Sequence, residues 1–151
     1  MYVGKVIVVS GGSRGIGRGI AAAFAAEGAQ TVLAAASQAN LDAAAQAISR
    51  NATLKPDVCA GDLRHEDGCE RVFRFVSQRH GRCDILVNSA GATRAGAFLN
   101  LDQEAWQDGF ALKFFAHVRL ARAAWPSLKE RRGSLVTIAG TGGRRSAGRR
   151  P

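Results

Sequence analysis

At 151 residues with 46% hydrophobic content, the chain is sized for one domain with a sizeable core, which excludes wholesale disorder. A net charge of +9 raises nucleic acid as a partner, but Arg144, Arg145, Arg149 and Arg150 carry four of the positives at the very end, behind Lys129, Arg131 and Arg132. No aromatic is interleaved there to stack on bases, so the expectation is a solvated tail, with nucleic-acid binding the less favoured reading.

Val6-Ile7-Val8-Val9 runs straight into Ser10-Gly11-Gly12-Ser13-Arg14-Gly15-Ile16-Gly17, with an alanine-rich helical stretch at once after it. A buried strand, a glycine-rich turn and a helix N-terminus in that order suit a pyrophosphate. Glycines let the backbone approach the phosphates, and free N–H groups at the helix start point toward negative charge. The first strand is predicted over Lys5 to Val9 and the first helix over Gly15 to Glu27, with Gly28 closing it.

Thr31 to Ala35 predicts a second strand. Ser37 then caps a helix to Ser49 that sets Leu41, Ala44, Ala45 and Ile48 on one face. A third strand is expected near Leu54 to Cys59, at an edge because of Pro56. A third helix is expected over Glu66 to His80, with Val72, Phe73 and Val76 facing inward. Ile85-Leu86-Val87 reads as strand four. A long helix from Asp102 to Lys129, kinked or restarted by Pro126, precedes strand five at Ser134 to Ile138.

Strands alternating with helices imply a doubly wound parallel sheet covered on both faces, an α/β fold of Rossmann-like type. No repeat, linker or second domain is visible. The domain is expected over residues 1–143, with a basic disordered tail over 144–151. No apolar run approaches the ~20 residues of a membrane span. Met1-Tyr2-Val3-Gly4-Lys5 lacks the order of a secretory signal. Cys59, Cys69 and Cys83 are odd in number and lack metal-ligand spacing, so buried reduced thiols, a cytoplasmic location, no metal and no membrane partner are expected.

Three segments sharpen the reading. The loop spaces its glycines G-x-x-x-G-x-G. Asp62-Leu63 lies just beyond strand three, where a carboxylate can accept a hydrogen bond from an adenine amino group. Asn88-Ser89-Ala90-Gly91 follows strand four, where small residues let a ribose and nicotinamide lie against the backbone. Asn88 as a left-handed turn residue and Asp62 as a helix-approach cap are the plainer alternatives. Together the segments resemble the short-chain dehydrogenase/reductase family, in register from Lys5 to Gly143, although that family's turn more often reads Asn-Asn-Ala-Gly.

The resemblance implies hydride transfer between nicotinamide and a carbonyl or alcohol carbon. It implies cofactor contacts at Gly11, Ser13, Arg14, Gly15, Ile16, Gly17, Ser37, Asp62, Leu63, Asn88, Ala90 and Gly91. It also implies a Tyr-x-x-x-Lys pair, a Ser at the end of strand five and an Asn in the long helix. The pair helps a tyrosine whose unperturbed pKa of about 10 makes it a poor proton carrier near neutrality.

Here Gly140 stands at the Ser position, Thr141 lies one step along, and Lys113 occupies the Asn position, as a tether for water or charge or as solvated surface. Tyr2 is the only tyrosine and precedes the first strand. His65 and His80 read as helix-end surface residues, and His117 as a helix-face residue without a partner. No catalytic set is assembled, so the expectation is a cofactor-binding portion without turnover. The alternatives are a non-catalytic dinucleotide-binding or partner protein and nonspecific nucleic-acid binding by the tail.

The family's sheet resembles a 3-2-1-4-5-6-7 order, of which this chain supplies 3-2-1-4-5, so the C-terminal strands of the family are expected to be missing. Strand five then becomes an unpaired edge. Arg, Gly, Ala and Pro come from GC-rich codons. A frameshift or premature stop after Gly143 is therefore expected, with a purpose-built basic arm as its rival. Trp106, Phe110, Phe114 and Trp125 are each expected in the core by default, yet they sit on more than one face of the 102–130 helix, which resembles a dimer-packing helix in relatives and is the expected surface for a homo-oligomer.

NAD-specific relatives carry an acidic residue at the end of strand two, and NADP-specific ones an Arg beside it. Ala35 and Ala36 offer neither. With Arg14 as a phosphate partner and Ser37 adding a hydroxyl at a helix start, NADP(H) is expected over NAD(H).

Overall fold

In the computed structural model, which describes residues 1–140, Val6–Ser10 (β1) runs through the middle of a five-stranded parallel sheet. On one side lie Gln30–Ala35 (β2) and then Asp57–Ala60 (β3), and on the other Ile85–Asn88 (β4) and then Ser134–Thr137 (β5). The order is β3-β2-β1-β4-β5, the Rossmann-like α/β arrangement that the alternating pattern predicts. The register aligns Ser10 with Ala34 and Asn88, and Asn88 with Thr137, so the glycine loop and the turn after β4 leave the sheet side by side.

Alternate residues of β1 face opposite layers, as pleating requires. Val6 and Val8, with Val32, Ala34 and Leu86, pack against Glu66–His80 (α3) and Ala116–Arg131 (α5) through Val72, Val76, Leu120 and Ala124. Ile7 and Val9, with Leu33 and Val87, pack against Gly15–Ala26 (α1) and Gln38–Ser49 (α2) through Ala21, Ala25, Leu41, Ala44 and Ile48. Both faces of a central strand must therefore be apolar, which is why β1 reads as an uninterrupted run.

Local chemistry fixes the element ends. Ser37 caps α2, its Oγ accepting from the Asn40 N–H at 3.3 Å. α3 carries Glu66 and Asp67 in its first turn and Arg79 and His80 in its last, each matched to the helix dipole. β3 starts at Asp57 rather than near Leu54, because Pro56 just before it has no N–H to give a ladder.

The long helix is broken elsewhere than expected. Gln103–Phe110 (α4) passes through a π-helical turn at Ala111–Phe115 into α5, which continues unbroken through Pro126. Pro126 lies on the exposed face, where water can satisfy the carbonyl that its ring leaves without a donor. Phe73 is only half-buried, unlike Val72 and Val76. Trp106, Phe110, Phe114 and Trp125 are exposed rather than core, because the core-facing stripe of these helices is filled by Leu112, Ala116, Leu120, Ala124 and Leu128.

The three cysteines are buried and unpaired. Burial pushes the Cys83 thiol up to about 12 and the Cys69 thiol up to about 11, so neither is a nucleophile near neutrality. No helix among the described residues is long and apolar enough to cross a membrane.

At the amino ends of the strands, buried Asp84 accepts from the Val6 N–H at 2.9 Å and from Arg82 Nε at 2.8 Å, with Lys5 Nζ at 3.4 Å. His80, expected on the surface, is instead half-buried beside Asp57, with Nε2 at 3.1 Å from Oδ2. Thr141 and the 144–151 tail lie outside the described residues, as does the 143 boundary.

Candidate dinucleotide-binding site

The carboxyl ends of β1, β2 and β4 open into a cleft of about 570 Å³. It is lined by Gly11, Ser13–Gly17, Ala35–Ser37, Asn40, Asp62–Arg64, Ser89–Ala92, Leu112 and Ile138. All of the predicted contact residues except Asn88 reach this one cleft, and Asn88 is buried directly before the lining residue Ser89. A larger groove of about 960 Å³ lies between α2 and α3 at the amino ends of β2 and β3. It has no glycine loop and no helix start. In open parallel sheets the ligand crevice lies outside the carboxyl ends, where neighbouring connections diverge, which favours the smaller cleft.

The loop is packed to backbone contact. A Cβ on Gly11 would sit 2.8 Å from the Ala90 N and Cα, and one on Gly17 would overlap the Gly11 carbonyl oxygen. Gly11 also has φ +71°, and its N–H donates to the Ala34 carbonyl at 2.7 Å. Ser10 links the two turns. Its buried Oγ accepts from the Ser89 and Ala90 N–H groups at 3.1 and 3.2 Å. Sequence reading missed this residue, and the available signal was a small polar side chain ending an apolar strand. No side chain caps α1, whose extended N-cap is Arg14, so its first-turn N–H groups keep their positive end for a ligand.

One end of the cleft is bounded by Arg14, Ala35, Ala36, Ser37 and Asn40. Arg14 and Ser37, distant in sequence, thus face one space that contains no carboxylate from β2. Ser37 Oγ accepts from Asn40, which leaves its own proton to donate. Farther along the wall, Asp62 Oδ1 accepts from the Arg64 N–H at 3.0 Å and from Arg64 Nη1 at 3.3 Å. Asp62 is therefore held in a local turn by Arg64 and caps no helix. His65 starts α3 without capping it and is exposed.

At the other end Asn88 is the last residue of β4, and its φ is not positive, contrary to the turn reading. Its Nδ2 donates to the His117 carbonyl at 3.2 Å, while its buried Oδ1 has no partner among the described residues. His117, a helix-face residue with no partner nearby in sequence, bonds through Nε2 to the Ala90 carbonyl at 2.8 Å. A carbonyl only accepts, so Nε2 carries the proton. Asn88 and His117 thus tie α5 to the turn from both directions.

Lys113 sits within the π-helical turn with its methylenes against Gly91, where a Cβ would lie 3.2 Å from Lys113 Cε. The residue is exposed, in no ion pair among the described residues, and beside Gly91 of the cleft without lining the cleft itself. Gly140 is the last described residue. Tyr2 packs edge-on against Phe24, ring centres 4.9 Å apart, and its N–H bonds the Glu27 carbonyl at the C-terminal end of α1, away from the cleft.

The residues fit a nicotinamide dinucleotide: a glycine loop packed to backbone contact at Gly11 and Gly17, an uncapped helix start opening into the cleft, and an unpartnered buried acceptor, Asn88 Oδ1, just before the lining residue Ser89. Comparison with known proteins agrees. The profile of the short chain dehydrogenase family matches residues 5–150. An uncharacterized oxidoreductase of Mycobacterium tuberculosis is 34% identical over 145 residues, 95% of this chain and 55% of that protein. The 3-oxoacyl-acyl-carrier-protein reductase of Escherichia coli is 33% identical over 138 residues, 91% of this chain and 55% of that protein.

Among solved structures, L-sorbose reductase from Gluconobacter frateurii complexed with NADPH and L-sorbose has a TM-score of 0.87 at 35% identity, covering 93% of this chain and 54% of the other. A metagenomic short-chain oxidoreductase in complex with NADP has a TM-score of 0.87 at 33% identity, covering 94% and 65%. The chain thus spans about half the length of the curated relatives it matches.

Proposed function

Since the chain belongs to the short-chain dehydrogenase family, we propose that these 151 residues form the NADP(H)-binding part of an oxidoreductase. The observation that carries this is the cleft in which the glycine loop, the open start of α1 and the Ala90–Gly91 turn converge. Ser13, Gly15, Ile16 and Gly17 take the pyrophosphate through backbone N–H groups, Gly11 brings the loop close while its own N–H is held by the Ala34 carbonyl, and Asp62 and Leu63 take the adenine. Asn88, Ala90 and Gly91 flank the nicotinamide ribose. When bound, the nicotinamide supplies or accepts the hydride.

The cofactor choice rests on Arg14 and Ser37. Ala35 and Ala36 leave no negative charge to repel a 2′-phosphate, and Arg14 and Ser37 line the same end of the cleft. An exposed arginine–phosphate contact supplies ~1–3 kcal/mol. Arg14→Ala is therefore expected to weaken NADPH binding about tenfold in a fluorescence titration and to leave NADH binding nearly unchanged. Equal losses for both would assign Arg14 to loop support and remove the preference.

For chemistry, no tyrosine hydroxyl, strand-five serine or free imidazole N–H lies at the nicotinamide end among the described residues. Tyr2 is packed on Phe24, Gly140 carries no hydroxyl, and His117 Nε2–H is spent on the Ala90 carbonyl. An alkoxide formed on hydride transfer stays unstabilised. The purified chain is expected to show no carbonyl reduction with NADPH above background. Robust turnover that disappears in Lys113→Ala or Thr141→Ala would overturn this. The same reading assigns self-association to the 102–130 helix, where Trp106, Phe110, Phe114 and Trp125 are exposed.

A further inference from the structure

We propose that Arg64 is a positioning residue that fixes the Asp62 carboxylate for adenine recognition by anchoring it to α4. The inference rests on the reading that Asp62 faces the adenine amino group. Arg64 lines the cleft and is half-buried. Its Nε donates to Asp108 Oδ1 at 2.5 Å, while its Nη1 donates to Asp62 Oδ1 at 3.3 Å. One planar guanidinium thus spans two carboxylates, one on α4 and one on the cleft wall. Its fixed fork gives direction as well as charge.

The residue is held by its backbone too. The Arg64 N–H donates to Asp62 Oδ1 at 3.0 Å, and its carbonyl accepts from Arg119 Nη1 of α5 at 3.0 Å. All of these bonds to Asp62 use Oδ1. Among the described residues the other oxygen, Oδ2, meets only exposed His65, at 3.9 Å, and so keeps its acceptor capacity toward the cleft. Without the guanidinium, the half-exposed Asp62 carboxylate would keep only the Arg64 N–H, about which Oδ2 is free to swing, and a ligand would have to order it on binding. The sequence separation of Arg64 and Asp108 is 44 residues, so no local pattern announces the pair.

The test uses the full chain with NADP⁺ and its 6-deamino analogue, in which an exocyclic carbonyl oxygen replaces the amino group and faces the carboxylate. The wild-type chain is expected to prefer NADP⁺ by roughly tenfold, the worth of one hydrogen bond to a charged acceptor. In Arg64→Gln the preference falls to below about threefold, chiefly through weaker NADP⁺ binding. Arg64→Lys behaves like Arg64→Gln, because a point charge cannot hold two carboxylates in register. Asp108→Asn, outside the cleft lining, lowers the preference in the same direction and carries the test if the Arg64 variants melt early.

A merely structural role would weaken both ligands alike and leave their ratio unmoved. A wild-type ratio near one would defeat the assignment of Asp62 to adenine and this inference with it. A tenfold wild-type ratio that persists in all three variants would overturn the clamp alone.

Discussion

Gly17→Ala is expected to lower NADPH affinity by about 10- to 100-fold while the chain stays folded. The added Cβ would overlap the Gly11 carbonyl oxygen and lie 3.2 Å from Ser89 Oγ. Neither the loop nor the turn after β4 can yield, because Ser10 Oγ and the Gly11 N–H already lock them to the sheet. The start of α1 must therefore lift, which takes its N–H groups off the phosphate path. Overpacking of this kind costs ~1–3 kcal/mol, and that cost falls on the bound state. Alanine also favours the helix by up to ~1 kcal/mol over glycine, so melting temperature should drop less than affinity. Gly19→Ala is the control in the same helix. Its Cβ would meet nothing within 4 Å, so it should stabilise slightly and bind NADPH normally. Wild-type affinity in Gly17→Ala would mean that the loop is no phosphate cradle.

What was legible in the chain was what its local order encodes. The run Val6–Val9 announces a strand buried on both faces, and the structure puts its alternate residues into two separate cores. Ser37 at the start of α2, and the acidic start and basic end of α3, fix helix ends by capping and dipole, both read within one turn. Pro56 set the edge character of β3 correctly but delayed its start, since a missing N–H acts on the ladder and not on the apolar pattern.

The unread features join distant positions. Asn88 meets His117 across 29 residues, Ser10 meets Ala90 across 80, and Arg64 meets Asp108 across 44. Only the sheet order brings those pairs together. The aromatics of α4 and α5 failed for another reason. Hydrophobic type states a preference for burial, while the small residues Ala116 and Ala124 had already taken the core-facing stripe. The π-helical turn likewise has no marker among Ala111–Phe115, while Pro126, the residue that signals a break, sits in an unbroken turn of α5.

Asp84→Ala is expected to cost ~2–3 kcal/mol at pH 7, a melting-temperature drop of roughly 5–10 °C for a chain of this size. Asp84 is 2% exposed and is the point where Val6, Lys5 and Arg82 converge, at the amino ends of β1 and β4. Burial pushes its carboxyl up. Hydrogen bonds from Arg82 and the Val6 N–H, with the Arg82 and Lys5 cations, outweigh burial and hold it below the ordinary carboxylate value. Truncation leaves the Val6 N–H without its carboxylate, while Lys5 and Arg82 turn to water, which limits the loss.

The sign with pH follows from the lowered pKa. The stabilisation is fully present above the unfolded carboxylate's value near 4, and it disappears as pH falls through the lower folded value. The gap in melting temperature between wild type and Asp84→Ala should thus stay constant from pH 7 to about 5.5 and narrow below about pH 4. Asp84→Asn keeps the shape and one acceptor for Val6, so it should lose less and show the same narrowing. A gap that is as wide at pH 3 as at pH 7 in both variants would show that Asp84 holds the sheet by packing, with its charge contributing nothing.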